Sequence, residues 1–222
     1  MLSAIKGKLI VSCQALPEEP LHSAFIMGRM ALAAQEGGAA AIRAQGVEDI
    51  KEIIRVSTLP VIGLIKRNYE DSPIYITATR REVEELLTTS CAMVAIDMTN
   101  RPRPGRLEAA ELVDMVHAGG RLVLADISTA AEGLKAAALG VDAISTTMSG
   151  YTPYSRQLPG PDVELVQELV SKVAIPVFAE GRINTPADLK LVMAAGAYAP
   201  IVGSAITRPQ LITAKFVQAL QA

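Results

Sequence analysis

Near its C-terminus the chain reads Phe178-Ala179-Glu180-Gly181-Arg182 and, further on, Val202-Gly203-Ser204-Ala205-Ile206. In each stretch an apolar run ends abruptly in a glycine beside a polar residue. Because glycine has no Cβ, an oxyanion can approach the backbone N–H groups at such a position. The loops after the last two strands of a (β/α)8 barrel commonly build a phosphate site in this way. The two stretches therefore predict both a fold and a substrate class, a small phosphorylated molecule.

Outward from these stretches, the chain alternates strand-like runs with segments of helical periodicity. Strands are predicted at Lys8–Gln14, Ala40–Ala44, Val61–Lys66, Met93–Thr99, Arg121–Ile127, Ala143–Thr147, Pro176–Gly181 and Pro200–Ser204. Helices are predicted at Leu21–Glu36, Val47–Val56, Arg80–Ser90, Leu107–Ala118, Thr129–Leu139, Asp162–Val173, Pro186–Ala195 and Pro209–Ala219. Eight such units favour a closed parallel barrel over an open sheet. The predicted fold class is α/β, a single-domain (β/α)8 TIM barrel spanning residues 1–222.

Two segments stand out from this regular pattern. Tyr69–Thr79, after the third strand, is predicted to be either an active-site loop or an extra edge strand. Pro200 stands in the eighth strand where a plain aliphatic residue is expected. Since proline lacks the N–H of a strand ladder, we expect it to mark the start of that strand.

The composition is that of an aliphatic globular protein. Half of the 222 residues are apolar, aromatic residues make up 4%, and tryptophan is absent. This balance suits parallel strands that are buried on both faces. A net charge of -2 gives no electrostatic reason to expect a nucleic-acid partner. The apolar runs are too short to span a bilayer, so no membrane partner is expected.

Location and assembly are predicted from equally simple features. The N-terminus lacks the apolar core of a signal peptide, and Cys13 and Cys91 have neither metal-ligand nor disulfide spacing. We therefore expect a cytoplasmic protein with buried, reduced thiols. Barrels of this size often pair, and the aliphatic last helix with Phe216 belongs either to an interface or to the core. The expected assembly is a homodimer.

Polar residues end or follow nearly every predicted strand, at the face of a barrel where active sites form. Only the sixth strand lacks a conspicuous one. The residues are Ser12, Gln14, Arg43, Lys66, Arg67, Asp97, Thr99, Asp126, Glu180 and Ser204. We expect these side chains to face one another across the mouth of the barrel.

Lys66 and Glu180 form an acid/base pair suited to moving a proton to and from carbon. Burial and a nearby positive charge lower the pKa of a lysine toward neutral pH, and Arg43 is placed to supply that charge. Arg43 is also placed to hold negative charge that develops on a substrate carbonyl oxygen. The set fits carbanion formation next to a carbonyl. It does not fit hydrolysis at a metal, because the ligands are missing; the only histidines are His22 and His117.

Each of these residues also has a structural interpretation that the sequence leaves open. Lys66 could begin a solvated loop, and Glu180 could form a salt bridge that caps the barrel. Asp126 could cap the helix that starts at Ser128. For Asp97, a hydrogen-bonding role inside the barrel explains the residue as well as catalysis does.

Two arginines near the glycine stretches are candidates for phosphate recognition. Arg208 precedes Pro209 after the eighth strand, where its fork of donors can meet a phosphate or a sugar hydroxyl. Arg182 is a second candidate, although a surface position explains it as well.

Taken together, these motifs resemble the bacterial N-acetylmannosamine-6-phosphate 2-epimerase family, NanE. The matching stretches span nearly the whole chain: Val11–Pro17, Glu19–His22, Ala41–Ala44, Pro60–Arg67, Ile76–Thr79, Ala125–Thr129, Thr146–Thr152, Ala179–Arg182 and Val202–Pro209. Gly203-Ser204 alone is a weak signal, since many phosphate-binding barrels carry a similar pair. The combination of Ser-Cys-Gln-Ala at 12–15, Lys-Arg at 66–67, Asp-Ile-Ser-Thr at 126–129 and Ala-Ile-Thr-Arg-Pro at 205–209 is far more specific.

The resemblance implies interconversion of N-acetylmannosamine 6-phosphate and N-acetylglucosamine 6-phosphate in sialic acid breakdown, without metal, nucleotide or other cofactor. It implies that Lys66 removes and returns the C2 proton, with Glu180 as acid/base partner. The implied substrate-binding residues are Gln14, Arg43, Asp126 and Arg208, and the implied phosphate-binding loop positions are Gly181, Arg182, Gly203 and Ser204. The open-chain aldehyde is the expected reactive form, because C2 is acidic only next to a carbonyl. Whether one base or two act on C2 stays open.

Other functions remain to be weighed against this one. A phosphosugar synthase or lyase would use Lys66 as a Schiff base. A metal-dependent pentose-phosphate epimerase is disfavoured by the two isolated histidines. A non-catalytic phosphosugar-binding barrel would keep the glycine loops, with Lys66 and Glu180 serving only the fold.

Overall fold

The computed structural model describes residues 1–220, in which eight parallel strands close into a barrel in sequential order. The strands are β1 (Ile10–Cys13), β2 (Ala41–Gln45), β3 (Val61–Leu64), β4 (Met93–Asp97), β5 (Leu122–Asp126), β6 (Ala143–Ser145), β7 (Val177–Glu180) and β8 (Ala199–Val202). The barrel closes where Ile10 and Val11 of β1 pair with Ile201 and Val202 of β8. The predicted (β/α)8 barrel is confirmed. Positions 221 and 222 of the predicted domain lie outside the described residues.

Helices alternate with the strands. They are α1 (Leu2–Ile5), α2 (Ala24–Glu36), α3 (Val47–Val56), α4 (Arg80–Leu87), α5 (Ala109–Ala118), α6 (Ala130–Ala138), α7 (Val163–Lys172), α8 (Pro186–Ala194), α9 (Ser204–Thr207) and α10 (Pro209–Ala219). Short 3-10 turns lie at Pro104–Arg106 and Thr146–Met148. Thr129 and Thr185 cap α6 and α8 with an acidic residue three positions on, a pairing typical of helix starts.

Several boundaries near the site differ from the predicted ones. β3 ends at Leu64, so Lys66 lies in the loop that follows the strand rather than at its last position. Asp126 and Glu180, by contrast, are the last residues of β5 and β7. Pro200 is the second residue of β8, one position inside the start that was expected for it.

Alternation of side chains along the strands separates an apolar barrel interior from a polar layer at one end. The interior is formed mainly by Ile10, Ala41, Ile62, Met93, Leu124, Ala143, Phe178 and Ala199. Two residues further along β1, β2, β5, β6 and β7, the same faces carry Ser12, Arg43, Asp126, Ser145 and Glu180. The pattern that packs the interior therefore also collects the polar side chains at the C-terminal ends of the strands.

The opposite end of the barrel is closed by α1, a helix that the sequence did not predict. Ile5 is fully buried and packs into the interior cluster. The N–H of Gly7 donates to the carbonyl of Tyr198 at 2.8 Å, which ties the helix to the segment before β8. The first apolar residues of the chain thus seal the end away from the polar layer.

The segment Tyr69–Thr79 folds back along the end of β3 and borders the mouth of the barrel. The N–H of Arg67 donates to the carbonyl of Tyr75 at 2.9 Å, and the N–H of Thr77 donates to that of Ile65 at 2.8 Å. The pairing is a short antiparallel bridge outside the barrel sheet. Of the two predicted alternatives, the structure favours a loop at the mouth, held in place by backbone hydrogen bonds.

Candidate active site

A cavity of about 770 Å³ opens at the C-terminal ends of the strands. The predicted residues that line it are Gln14, Arg43, Lys66, Glu180, Gly181, Arg182, Gly203, Ser204 and Arg208. Of the residues given a catalytic or binding role, Asp126 alone lies outside the lining; it is fully buried and reaches the cavity through Arg43. Ser12 also lines the cavity, whereas Arg67, Asp97 and Thr99, which were expected at the same mouth, do not. Sites for small molecules commonly enclose about 300–1,000 Å³, so this volume suits a small substrate.

Arg43 joins the two carboxylates of the site into one buried network. Its guanidinium donates to both oxygens of Asp126, from Nη1 to Oδ1 at 2.9 Å and from Nη2 to Oδ2 at 2.6 Å. Nη1 also lies 3.1 Å from Oε2 of Glu180. A two-pronged pair of this kind fixes the orientation of both groups. Burial alone would lower the pKa of Arg43, but the charges of Asp126 and Glu180 raise it above its ordinary value, so the guanidinium stays charged.

The structure settles the alternative roles considered for Asp126 and Asp97. The suggestion that Asp126 caps the next helix is wrong, because Thr129 is the N-cap and Glu132 completes the cap. Asp97 has the hydrogen-bonding role: Oδ1 accepts from the Thr99 hydroxyl at 2.7 Å, and Oδ2 lies 2.5 Å from Arg101. Asp97 does not line the cavity.

Lys66 lies in the cavity rather than in a solvated loop. Its pKa is lowered to about 8, first because burial penalises the ammonium form and then because Arg43 and Arg208 carry positive charge nearby. Glu180 and Glu19 act in the opposite direction but do not cancel the effect. A substantial fraction of the amine is therefore free near neutral pH, and a free amine is what can accept a proton.

Glu180 is shifted the other way, toward holding a proton. Its pKa is raised, first because the carboxyl is buried and then because the negative charge of Asp126 lies close by. Arg43, Thr147 and Lys66 each oppose the rise. The side chain is 14% exposed, and its contacts with Arg43 and Thr147 are both made by Oε2, which leaves Oε1 without a side-chain partner among residues 1–220. That oxygen is the one free to meet a ligand.

The amine and the carboxyl approach the cavity from opposite sides. Lys66 follows β3 and Glu180 ends β7, and these strands lie half a turn apart in the eight-stranded ring. A molecule held between them presents one face to the amine and the other face to the carboxyl.

The sixth strand, which the sequence left without a polar contribution, supplies a residue that sequence reasoning missed. Thr147, just after β6, places its hydroxyl 2.7 Å from Oδ1 of Asp126 and 2.8 Å from Oε2 of Glu180. The same oxygen lies 2.7 Å from the hydroxyl of Ser145. Thr147 also lines the cavity. No residue at the end of this strand was conspicuous in the sequence, and Thr147 was therefore missed.

Gln14 presents an unused acceptor beside the cavity. Its Nε2 donates to the hydroxyl of Ser12 at 2.9 Å. Its Oε1 is buried and has no partner among the described residues. A buried carbonyl oxygen left unpaired is costly, so a bound N–H or O–H group at this point would stabilise the side chain.

The loop after β8 brings Arg208 next to the glycine–serine pair. Nη1 of Arg208 lies 3.4 Å from the hydroxyl of Ser204, and Nη2 donates to Glu19 at 2.9 Å. Glu19, from the loop after β1, was not singled out in the sequence. A Cβ on Gly203 would lie 3.3 Å from Ser12, so a side chain there would crowd β1.

Arg182 uses its side chain to hold the loop after β6. Nε donates to the carbonyl of Gly160 at 2.9 Å, and Nη1 donates to that of Ser149 at 2.8 Å. Its backbone, with φ of 54°, follows Gly181 with φ of 103°, a tight left-handed turn at the end of β7. The side chain is thereby committed, which leaves the backbone N–H as the part that matches the predicted phosphate role.

The part of the chain that the structure describes has neither a metal-binding cluster nor a membrane-spanning helix. No group of three His, Cys, Asp or Glu side chains there is arranged to hold a metal ion. None of the helices within residues 1–220 is both long enough and apolar enough to cross a bilayer.

Comparison with known proteins gives a consistent result. Residues 27–222 match the family model described as "NanE: Putative N-acetylmannosamine-6-phosphate epimerase". A Clostridium perfringens (strain SM101) protein described as a putative N-acetylmannosamine-6-phosphate 2-epimerase is 61% identical over 221 residues, covering 100% of both chains. A Clostridioides difficile (strain 630) protein with the same description is 62% identical over 221 residues, covering 100% of this chain and 99% of its own.

Solved structures agree with the sequence matches. The N-acetylmannosamine-6-phosphate 2-epimerase from Clostridium perfringens superposes with a TM-score of 0.97 at 61% identity, covering 99% of this chain and 96% of that one. A thiamine phosphate pyrophosphorylase from Pyrococcus furiosus, with a TM-score of 0.61 and 21% identity over 90% of this chain and 87% of its own, shares the fold alone. The chain belongs to the N-acetylmannosamine-6-phosphate epimerase family, NanE, as its motifs predicted.

Proposed function

We propose that this protein interconverts N-acetylmannosamine 6-phosphate and N-acetylglucosamine 6-phosphate by moving the proton on C2. The observation that carries the proposal is the opposed pair in the cavity, Lys66 with a lowered pKa and Glu180 with a raised one. These shifts bring an amine and a carboxyl toward the same pH range, as proton exchange with carbon near neutral pH requires.

The reaction begins from the open-chain sugar, in which C2 lies next to the C1 aldehyde. The neutral amine of Lys66 takes the C2 proton, and the electron pair moves toward the aldehyde oxygen. Arg43, whose guanidinium lines the cavity and stays charged, stabilises the negative charge that develops on that oxygen. Delivery of a proton to the other face of C2 then completes the epimerisation.

Inversion at C2 favours two groups over one. A single base would have to reach both faces of the planar intermediate, or the intermediate would have to turn over within the site. Lys66 and Glu180 already stand on opposite sides of the barrel mouth. In our account each exchanges a proton at its own face of C2, and the roles reverse when the reaction runs backward.

The remaining substrate contacts follow from the unused groups in the cavity. Gln14 accepts a hydrogen bond from the sugar or its N-acetyl group at the unpaired Oε1. Asp126 acts on the substrate through Arg43, because it accepts two hydrogen bonds that hold the guanidinium in place. We assign the phosphate to Arg208 and to backbone N–H groups of the two glycine loops, at positions 181, 182, 203 and 204.

The account requires no metal and no cofactor, since the lysine and the glutamate supply the acid and base themselves. We also propose a cytoplasmic location, in keeping with the two buried, unbridged cysteines. Both the chelator response and the location can be tested, the first by activity in excess EDTA and the second by fractionation of the source cells.

The proposed assembly is a homodimer in which α10 lies at the interface. This helix has no buried residue, and Phe216 is 73% exposed. Large apolar side chains exposed on a terminal helix favour contact with a partner, and a second copy of this chain is the partner we propose. Sedimentation of the wild type and of Phe216→Ser tests it: a wild-type dimer weakened by the substitution supports the interface, and a wild-type monomer contradicts it.

The function itself is tested by incubating the purified protein with N-acetylmannosamine 6-phosphate and following the sugar by NMR. We expect N-acetylglucosamine 6-phosphate to appear, with and without chelator. Borohydride added during turnover should leave no substrate adduct on Lys66. A stable adduct would favour the Schiff-base synthase or lyase, and binding without conversion would favour the non-catalytic barrel.

A further inference from the structure

Among residues 1–220, Thr147 is the one cavity residue whose hydroxyl contacts both carboxylates of the site, Asp126 and Glu180. Its Oγ1 lies 2.7 Å from Asp126 Oδ1 and 2.8 Å from Glu180 Oε2, two oxygens that come from different strands. The hydroxyl is held there by the 3-10 turn that follows β6 and by a third contact, 2.7 Å to Ser145.

The number of protons limits what this hydroxyl can do. A threonine hydroxyl donates one hydrogen bond, and an ionised carboxylate donates none. Thr147 therefore cannot donate to Asp126 and Glu180 at the same time. Asp126 already accepts from two guanidinium N–H groups of Arg43 and is fully buried, so it does not depend on Thr147 for its charge.

The carboxylate of Glu180 is held less firmly by neighbouring groups than that of Asp126. Oε2 lies 3.1 Å from Arg43 and 2.8 Å from Thr147, whereas these contacts leave Oε1 unused, and Glu180 lines the cavity. Thr147 is thus the closer of the two donors to Glu180, on the oxygen that protein groups already hold. Loss of that donor would leave Arg43 as the remaining contact of Oε2, and the carboxyl would be free to turn.

We propose that Thr147 is a positioning residue for Glu180 that donates to Oε2 in both protonation states, to the carboxylate when Glu180 is ionised and to the carbonyl oxygen when Oε1 carries the proton. The carboxyl then keeps one orientation in both protonation states, with Oε1 aimed at the sugar. This inference rests on the proposed epimerase function. The charged groups that act on Glu180 besides this hydroxyl are Asp126, Arg43 and Lys66.

Thr147→Ala and Thr147→Ser form the matched pair for the test. Both remove the methyl group, and only the alanine removes the hydroxyl. For Thr147→Ala we expect kcat to fall about tenfold with KM nearly unchanged, and the acid limb of the pH–kcat profile to move up by about one pH unit, because the hydrogen bond that favours ionised Glu180 is gone. Thr147→Ser should keep the wild-type limb. The substrate phosphate titrates equally in both variants, so it does not contribute to the difference.

Circular dichroism and thermal unfolding of each variant accompany the kinetics. The proposal is overturned if the two folded variants share one acid limb, or if both lose activity equally with the limb unmoved, since either result means a packing role. If Thr147→Ala does not fold, Thr147→Ser is compared with Thr147→Cys instead. The thiol of cysteine is a weak donor, so the acid limb must move in Thr147→Cys and must stay in place in Thr147→Ser. A wild-type protein that leaves the C2 proton untouched would refute the epimerase function instead, which is a separate outcome.

Discussion

Raising the pH through the pKa of Lys66 is expected to switch the epimerase off. Two groups that each exchange a proton with C2 need one proton between them, held by Lys66 in one direction of reaction and by Glu180 in the other. Below the lower pKa of the pair both groups are protonated and no base remains. Above the upper pKa both are deprotonated and no proton can return, so the profile is a bell.

The structure sets the position of the basic limb. Burial, Arg43 and Arg208 lower the pKa of Lys66 to about 8 from the ordinary 10.5. At pH 7 this leaves about one amine in ten neutral, whereas the ordinary pKa would leave about one in three thousand. The environment of Lys66 therefore enriches the proton-accepting form about 300-fold. The acid limb should lie above the ordinary pKa of a glutamate, because burial and Asp126 raise the pKa of Glu180.

The assay is the initial rate of C2 epimerisation, followed by NMR or a coupled reading of the product, across the range in which the fold stays intact. Rates are analysed as kcat and as kcat/KM. Circular dichroism at each pH checks that the protein stays folded. We expect activity to decline through pH 8. A rate that rises to a plateau above that pH would refute the shared-proton account and favour Lys66 as the sole base. A basic limb near the ordinary lysine pKa would refute the lowered pKa.

Three substitutions test other parts of the account. Lys66→Ala should retain the fold and lose nearly all turnover; more than about a tenth of the wild-type rate, or about 1.4 kcal/mol in barrier, contradicts its role. Arg43→Met should lower the free energy of unfolding in urea by about 3–5 kcal/mol, because it leaves buried Asp126 unpaired; an unchanged midpoint and slope argue against the network. Gly150→Ala should lower the stability by about 1–2 kcal/mol in thermal unfolding, because a φ of 80° disfavours a side chain and a Cβ would clash with the Arg182 guanidinium. An unchanged Tm would contradict this clash.

Each substitution has a control on the same chain. Lys51→Ala removes a lysine that is 54% exposed and should leave turnover unchanged. Arg55→Met removes an exposed arginine paired with Glu52 and should leave the urea midpoint nearly unchanged. Adding Arg182→Ala to the Gly150→Ala protein should relieve the clash. The stability lost by the double variant should therefore be smaller than the sum of the losses in the two single variants.

Much of the barrel was predictable because its signals are local. The glycine-ended stretches at β7 and β8 and the alternation of apolar strands with capped helices indicate the fold without any knowledge of long-range contacts. Lys66 and Glu180 were also predictable, because a charged residue at or shortly after the end of a buried strand points to the C-terminal face of the barrel.

The contacts between these residues were not accessible in the same way. Arg43 and Asp126 are far apart in the chain, and no pattern specifies that their side chains meet in a two-pronged pair. Thr147 gives no signal of its own, since threonine is common beside strands. The one available hint is alternation: Ser145, Asp126 and Arg43 share the inward face, and Thr147 lies two residues beyond Ser145.

Arg182 illustrates a second limit. From sequence, an arginine beside a glycine loop suggests phosphate binding through the side chain. In the folded protein the guanidinium is satisfied by carbonyl groups of the loop after β6, which only tertiary structure brings near. The backbone N–H part of that expectation stays a prediction.

The central claim is that C2 loses and regains a proton between Lys66 and Glu180. Incubation with N-acetylmannosamine 6-phosphate in D2O, followed by proton NMR, tests it most directly in the wild type, Lys66→Ala and Glu180→Gln. The account predicts that the wild type forms N-acetylglucosamine 6-phosphate with deuterium at C2, and that neither variant forms it at a comparable rate. Product that keeps its original proton at C2, or full exchange in both variants, would contradict it.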